Sequence, residues 1–291
     1  MNPVIRVEGV KKDYFVGLKH TKVEALKGVS FEIPTGSVTC FLGPNGSGKS
    51  TFIKIATDLV RPTHGQVYFF DNLDYSKARS RIGFVPEKPT FPGFLTPIEL
   101  LSFVGSISKG FRRDQIGEVL KSVDLYYAKD RPCGGFSKGM NQRLALAQAL
   151  LSEPDLLILD EPFNGLDPDS RANSVEILRS YAEKGKSIFL TSHLLEDVQK
   201  VCDYLVVIKD GLLLYKGDVQ SLLKTTTFSI EYKTKSNDEL LNLKVHEAEL
   251  STTLKTLLDQ GHHVWNVKPD NQELTDIYKM LLEGKNVVPS L

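Results

Sequence analysis

The sequence predicts an α/β domain built on a mostly parallel sheet, followed by a small α+β module. Three observations carry this reading. Leu156–Leu159 and Ser187–Leu190 are short apolar runs bounded by turns and charges, the pattern of strands buried on both faces. Val38–Leu42 is a third such run, and a glycine-rich loop and a helical pattern follow it, so strand, loop and helix come in order. After about Ser221 the texture changes: Thr225-Thr226-Thr227 reads as a linker, and no arginine occurs beyond Arg179. The division predicted is a main domain at 1–221 and an accessory module at 222–291.

Ile5/Val7 and then Ala25-Leu26, Val29 and Phe31/Ile33 alternate with polar residues, the period of antiparallel strands. Pro34-Thr35-Gly36 turns the chain into Val38–Leu42. The helix after Ser50 carries Phe52, Ile53, Ile55 and Ala56 and stops near Pro62. Val67–Phe70 and Ile82–Val85 read as further strands. Thr96-Pro97 is a capped helix start and opens a helical subdomain at about 96–135. There Ile98, Leu101, Phe103, Val104 and Ile107 form one apolar stripe, and Ile116, Val119, Leu120 and Val123 form another. Both stripes are assigned mainly to the core. In the module, Phe228–Tyr232, Leu243–Val245 and His263–Val267 read as strands, with helices at Leu250–Leu258 and Leu274–Leu282. Adjacent strand residues point to opposite faces, so His262-His263 is not read as a metal pair.

Bulk properties narrow the function. Hydrophobic residues make up 41% of the 291, enough for a sizeable core. The 36 basic and 36 acidic residues cancel, which speaks against a non-specific nucleic-acid binder. Cys40, Cys133 and Cys202 are odd in number and widely spaced, which points to a reducing compartment without a disulfide framework or zinc site. Met1–Glu8 contains no apolar stretch of signal-peptide length, and no run approaches 18 apolar residues. A cytoplasmic protein is expected, reaching a membrane only through a partner.

The chemistry is concentrated in two places. Gly43-Pro44-Asn45-Gly46-Ser47-Gly48-Lys49-Ser50-Thr51 fits G-x-x-x-x-G-K-[ST] between a strand and a helix, the setting of a nucleotide-phosphate cradle. Glycines let the backbone approach the phosphates, and N–H groups at the helix start point at the anion. Lys49 would reach the β/γ-phosphates, and the Ser50 hydroxyl would coordinate Mg²⁺. Leu156–Leu159 ends in Asp160-Glu161, with Asp160 expected beside the Mg²⁺ and Glu161 facing the attacking water.

With these in place, Phe136-Ser137-Lys138-Gly139-Met140-Asn141-Gln142-Arg143 resembles the signature segment of ATP-binding cassette (ABC) ATPases, lying just before the Asp160-Glu161 strand as in that family. Asn164-Gly165-Leu166-Asp167-Pro168 is similar to its D-loop, and Thr191-Ser192-His193 to its switch histidine. The resemblance covers roughly Val4 to Gly217 and is closest to stand-alone exporter subunits whose membrane-spanning part is a separate chain. It implies the P-loop ABC-ATPase fold, with an antiparallel β subdomain and a helical subdomain. It also implies that Tyr14 stacks on adenine, with Phe15 as rival. Ser137 and Gly139 would contact the γ-phosphate held by an opposite subunit, His193 would order the attacking water, and Asp167 would signal across the dimer interface. Three positions depart from the family pattern. Glu87 stands where a glutamine usually serves Mg²⁺ and water, and Lys138 and Met140 replace the commoner Gly and Gln.

A chain holding both a cradle and a signature segment meant for another molecule's ATP implies a head-to-tail dimer around two ATP molecules. No motif is degenerate, so a homodimer is the simplest form. The implied function is a transport ATPase that powers export through a separate integral-membrane permease, peripheral on the cytoplasmic face. The permease would dock on the helical subdomain. The alternatives are a soluble ABC-type ATPase of repair, translation or cofactor assembly, and a regulatory nucleotide sensor. Long coiled coils and a second cassette, which mark the repair and translation members, are missing, and intact Glu161 and His193 argue against a sensor. The module at 222–291 resembles accessory extensions that stabilise or regulate a dimer.

Overall fold

A computed structural model of the chain describes residues 2–17, 21–70, 72–107, 111–193, 195–223, 227–234, 237–269 and 274–284. The chain divides into two compact units, Met1–Asp218 and Val219–Leu291. The expected linker residues Thr225 and Thr226 lie outside the described residues.

The first unit opens with β1 (Pro3–Val16) and β2 (Thr21–Pro34), continues through β3 (Val38–Leu42), α1 (Lys49–Ala56), β4 (His64–Phe69) and α2 (Tyr75–Ala78), and reaches β5 (Ile82–Val85). The helices α3 (Pro97–Ser106), α4 (Gln115–Ser122) and α5 (Lys138–Leu150) follow. Then come β6 (Leu156–Leu159), α6 (Pro168–Ala182), β7 (Ser187–Ser192), α7 (Leu195–Val201), β8 (Tyr204–Lys209) and β9 (Leu212–Asp218).

Two sheets share one core. The larger has the order β5-β6-β7-β3-β8-β9; it is parallel from β5 to β8, and β9 pairs antiparallel with β8. Every residue of β3, β6 and β7 is buried, which is why these strands are mostly apolar rather than alternating; Thr39, Ser187, Thr191 and Ser192 are the buried polar exceptions. The smaller sheet, β2-β1-β4, is antiparallel. Its inward residues, such as Ile5, Val7, Val29 and Phe31, merge with those of β3 and α1. Phe31, Phe41, Phe52 and Phe189 meet there with ring centroids 5.0 to 5.7 Å apart. Offset and edge contacts of this kind add about 0.5–1.5 kcal/mol per pair to simple burial. The aromatic cluster ties β2, β3, α1 and β7 together.

The helical region differs in detail from expectation. A capping box between Thr96 and Glu99, with Pro97 in the first turn, sets α3 as predicted. Its buried side, however, is Pro97, Leu100, Leu101 and Gly105. Phe103 and Ile107 are 67% and 78% exposed, so they do not belong to the core stripe assigned to them. α3 packs against α4 and α5. At 100° per residue, Phe103 falls roughly opposite the direction shared by Pro97, Leu100, Leu101 and Gly105, and Ile107 is the C-cap, beyond the last helical residue. In α4 the expected stripe holds: Ile116, Leu120 and the following Val123 are buried.

The second unit contains α8 (Val219–Leu223), β10 (Thr227–Thr234), β11 (Asn237–His246), α9 (Glu247–Asp259), β12 (His263–Pro269) and α10 (Leu274–Leu282). Its strands form an antiparallel sheet, β11-β10-β12. Ile230, Val245 and Leu257 are its buried centre, with Leu250, Leu254 and Val264 packed around them.

Candidate functional site

Parallel strands deliver their following loops to one edge of a sheet, and ligands of such folds bind outside those carboxyl ends. The register here does this for four segments. Leu42 pairs with Ser192, which sets the loop 43–48 beside His193. Leu159 pairs with Leu190 on one side and Val85 on the other, and the Asp160 N–H donates to the Val85 carbonyl at 2.9 Å. Glu87, Asp160-Glu161, the 43–51 loop and His193 therefore converge, although they span more than a hundred residues of sequence.

They surround an open cavity of about 490 Å³, whose lining includes Asn45, Gly46, Gly48, Lys49, Ser50, Thr51, Glu87, Glu161 and His193. Two glycines show why the loop is built as it is. A Cβ on Gly43 would run into the Ile208 carbonyl and Ser47 Oγ. Gly48 caps α1 at φ +108°, and a Cβ there would lie 2.6 Å from the Ala25 carbonyl. Pro44 holds the loop turn through its carbonyl, which accepts from the Ser47 N–H at 3.2 Å. Ser47 is 2% exposed, and its hydroxyl has no hydrogen-bond partner among the described residues. That hydroxyl lies against Gly43, and Ser47 is not among the residues that line the cavity.

Lys49, the first residue of α1, is 6% exposed. Its ammonium donates to the Gly43 carbonyl at 2.7 Å and the Pro44 carbonyl at 3.3 Å, and it lies 3.5 Å from Glu161 Oε1. The other Glu161 oxygen is 2.8 Å from His193 Nδ1. With a carboxylate as acceptor, Nδ1 carries the proton and Nε2 is the remaining ring nitrogen. Glu161 itself sits at φ +46°, a sparsely populated region for a non-glycine residue that recurs at functional sites.

Asp160 is largely shielded from water, and its carboxyl is raised above the usual range, chiefly by burial. The Thr191 hydroxyl opposes that rise, while the charges of Glu161 and Glu87 add to it. Glu161, Glu87 and Lys49 act electrostatically on Asp160, and Ser50 lines the same cavity as Glu87 and Glu161. These are oxygen donors of the kind Mg²⁺ takes, but among the described residues no group of three or more His, Cys, Asp or Glu that could hold a metal ion is formed. Sequence reasoning gave no role to two residues here. Thr191, fully buried, donates to Asp160 Oδ1 and accepts from the Glu161 N–H, both at 2.8 Å. Asn164 lines the cavity and donates to Glu87 Oε1 at 3.4 Å. The signal for Thr191 was its position in the strand paired with β6, one residue beyond the pair Leu159–Leu190.

The other predicted residues lie apart from this cavity's lining. Tyr14 is the cross-strand partner of Val23, which does line it; the Tyr14 ring carries the Lys12 ammonium 5.1 Å from its centroid. Ser137 caps α5, accepting from the Met140 N–H at 3.2 Å, and Gly139 is buried in its first turn. Asp167 caps α6, accepting from the Ser170 N–H at 2.9 Å, and that bond holds its carboxyl below the usual range. Both are the cap geometry of Ser and Asp at helix starts.

Comparison with known proteins gives consistent matches. The sequence profile of the family described as ABC transporter matches residues 26–164. An uncharacterised ABC transporter ATP-binding protein of Bacillus subtilis (strain 168) is 38% identical over 218 residues, 73% of each chain. The bacitracin transport ATP-binding protein BcrA of Bacillus licheniformis is 29% identical over 283 residues, 89% of this chain and 92% of the other. The lantibiotic transport ATP-binding protein SrtF of Streptococcus pyogenes is 35% identical over 74% of this chain and 91% of its own. Among solved structures, the dimeric ATP-binding cassette MJ0796 bound to ADP and Pi in a post-hydrolysis state superposes with a TM-score of 0.66 at 27% identity. That match spans 74% of this chain and 98% of the other.

Proposed function

The chain belongs to the ATP-binding proteins of ABC transporters, and from that premise we propose that it hydrolyses ATP to drive export through a separate membrane permease. The observation that carries the catalytic part is the Glu161 carboxylate, held between Lys49 and His193 at the lip of the cradle. Lys49 and the N–H groups of the 43–51 loop bind the β- and γ-phosphates. Ser50, Asp160 and Glu87 are the residues that would hold Mg²⁺, which supplies charge neutralisation on the phosphates. Glu161 accepts the proton of the attacking water as oxygen bonds to the γ-phosphorus, and ADP leaves. His193 keeps Glu161 oriented through Nδ1 and turns Nε2 to the reacting phosphate. Tyr14 stacks on the adenine.

Ser137, Gly139 and Asp167 sit at the capped starts of α5 and α6 and serve the nucleotide of a second copy in a head-to-tail homodimer. The dimeric state of the related cassette supports this. ATP then acts as an interfacial ligand: closure needs it and hydrolysis releases it. Export is favoured because the relatives include proteins named for bacitracin and lantibiotic transport. No helix among the described residues is long and apolar enough to cross a membrane, which fits a pathway supplied by a separate permease, with this subunit peripheral on its cytoplasmic face; the ABC transporter relatives favour that reading.

Glu161→Gln tests the reading. It should bind ATP, hydrolyse it at least about a hundredfold more slowly, and shift from monomer to dimer when ATP is added. Undiminished hydrolysis would remove Glu161 from its role, and monomeric elution under saturating ATP would reject the sandwich. Co-purification of the tagged chain from detergent extracts should bring a polytopic membrane protein in stoichiometric amount; recovery with soluble proteins alone would reject the transporter assignment.

A further inference from the structure

Glu87 and Asn164 lie 77 residues apart in sequence yet meet at the wall of the nucleotide cavity, where the Asn164 amide donates to Glu87 Oε1 at 3.4 Å. Asn164 is also fixed by its backbone, since its N–H donates to the Glu161 carbonyl at 3.1 Å. One residue thus spans two of the three carboxylates, joined by main chain to Glu161 and by side chain to Glu87. The Asp160 carboxyl also feels the Glu87 charge, a like charge that would push Glu87 away, and Lys88 lies 4.0 Å off with its side chain 79% exposed. A solvated pair at that distance restrains little. Glu is among the side chains with most rotamer freedom to lose, so the Asn164 amide is what keeps this carboxylate at the cavity.

The chemistry of the pair is matched. A glutamine at position 87, the commoner residue in the resemblance, could meet an asparagine in either amide orientation. An ionised carboxylate only accepts, which commits Asn164 to presenting its NH₂ group. Oε1 accepts that bond, and Oε2 is the less engaged oxygen for a cation.

We propose that Asn164 is a positioning residue that holds the Glu87 carboxylate ready for the divalent cation of the bound nucleotide. The inference rests on the ATP-binding reading above. Its consequence is specific: Asn164 sets how much Mg²⁺ is needed for ATP to bind, with little influence on ATP bound without metal.

The test is calorimetric titration of ATP into the full-length protein across a Mg²⁺ series, and in EDTA, for wild type, Asn164→Ala, Glu87→Ala and the double variant. Asn164→Ala should raise the Mg²⁺ concentration for half-maximal binding by about 3- to 10-fold, the worth of one charge-assisted bond at a partly solvated site. Binding in EDTA should be unchanged. In the Glu87→Ala background the same substitution should add nothing, since the residue acts through Glu87. Asn164→Gln, which keeps the amide donor, should recover part of the Mg²⁺ response, an outcome that loss of turn structure would not give. An unshifted Mg²⁺ midpoint in Asn164→Ala, or an equal shift in both backgrounds, would overturn the inference while the ATP-binding reading stood. Wild-type protein that binds no ATP at any Mg²⁺ concentration would overturn both.

Discussion

Thr191→Val removes one hydroxyl and keeps the side-chain shape, at a position with no solvent exposure. Two bonds are lost, from Thr191 to Asp160 Oδ1 and from the Glu161 N–H to Thr191. Leaving a buried N–H unpaired costs about 1–3 kcal/mol, and a bond to a charged group contributes about 1.5–3 kcal/mol. Asp160 keeps some access to water, which takes the second figure to its lower end, so the sum is about 3 kcal/mol. Thr191→Ser is the control: it retains both bonds and loses one buried methyl, about 1 kcal/mol. The Val variant should therefore be less stable than the Ser variant by about 2 kcal/mol at neutral pH. Urea unfolding of the nucleotide-free protein reads this out by far-ultraviolet circular dichroism. Fluorescence of Trp265, the single tryptophan, would report the second unit instead. The pH dependence has a definite sign. A carboxyl raised in the folded state favours folding while protonated, and that contribution is lost as pH rises through the raised value. Without the Thr191 donor the Asp160 carboxyl rises further, because that bond was holding it down. The gap between the variants should thus narrow in mild acid. A Val variant as stable as the Ser variant at neutral pH, or a gap that widens on acidification, would refute the reasoning.

Ile230→Ala, at the fully buried centre of the second unit's sheet, should cost that unit about 2–5 kcal/mol. The Trp265 unfolding transition should move to lower urea while basal ATP hydrolysis by the first unit persists; loss of hydrolysis in parallel would show that the cassette depends on the module. The rotation of α3 is checked by a pair of substitutions. Leu100→Ala should destabilise by about 2–5 kcal/mol and Phe103→Ser by within about 0.5 kcal/mol in thermal unfolding, and the reverse order would restore the stripe read from the sequence.

What the sequence disclosed follows from how local each cause is. The strands β3, β6 and β7 were legible because burial on both faces leaves a mostly apolar run, unbroken in β6. The caps of α3 and α6 are local hydrogen-bond patterns, Thr96 with Glu99 and Asp167 with Ser170. The hairpin β8–β9, absent from the elements read above, has a local signal of its own. Asp210-Gly211 takes positive φ at both positions, the two-residue turn that Asp-Gly favours between strands. The rotation of α3 was not legible, because Ile98, Leu101, Phe103, Val104 and Ile107 are all apolar and only packing decides which of them face inward. The bonds of Thr191 and Asn164 were hidden for another reason: each joins segments separated by 30 to 77 residues, and sheet register creates the contact.

That register has a mechanistic consequence which the motifs, taken singly, do not show. Lys49 donates to two carbonyls of its own loop and pairs with Glu161. A buried ammonium that gives up such partners is heavily penalised unless others replace them. On the proposed reading, phosphate oxygens are that replacement: as Lys49 turned to them, Glu161 would lose a neighbour at 3.5 Å and keep His193 at 2.8 Å. Binding of the nucleotide and release of the proposed base would then be coupled through a single shared lysine.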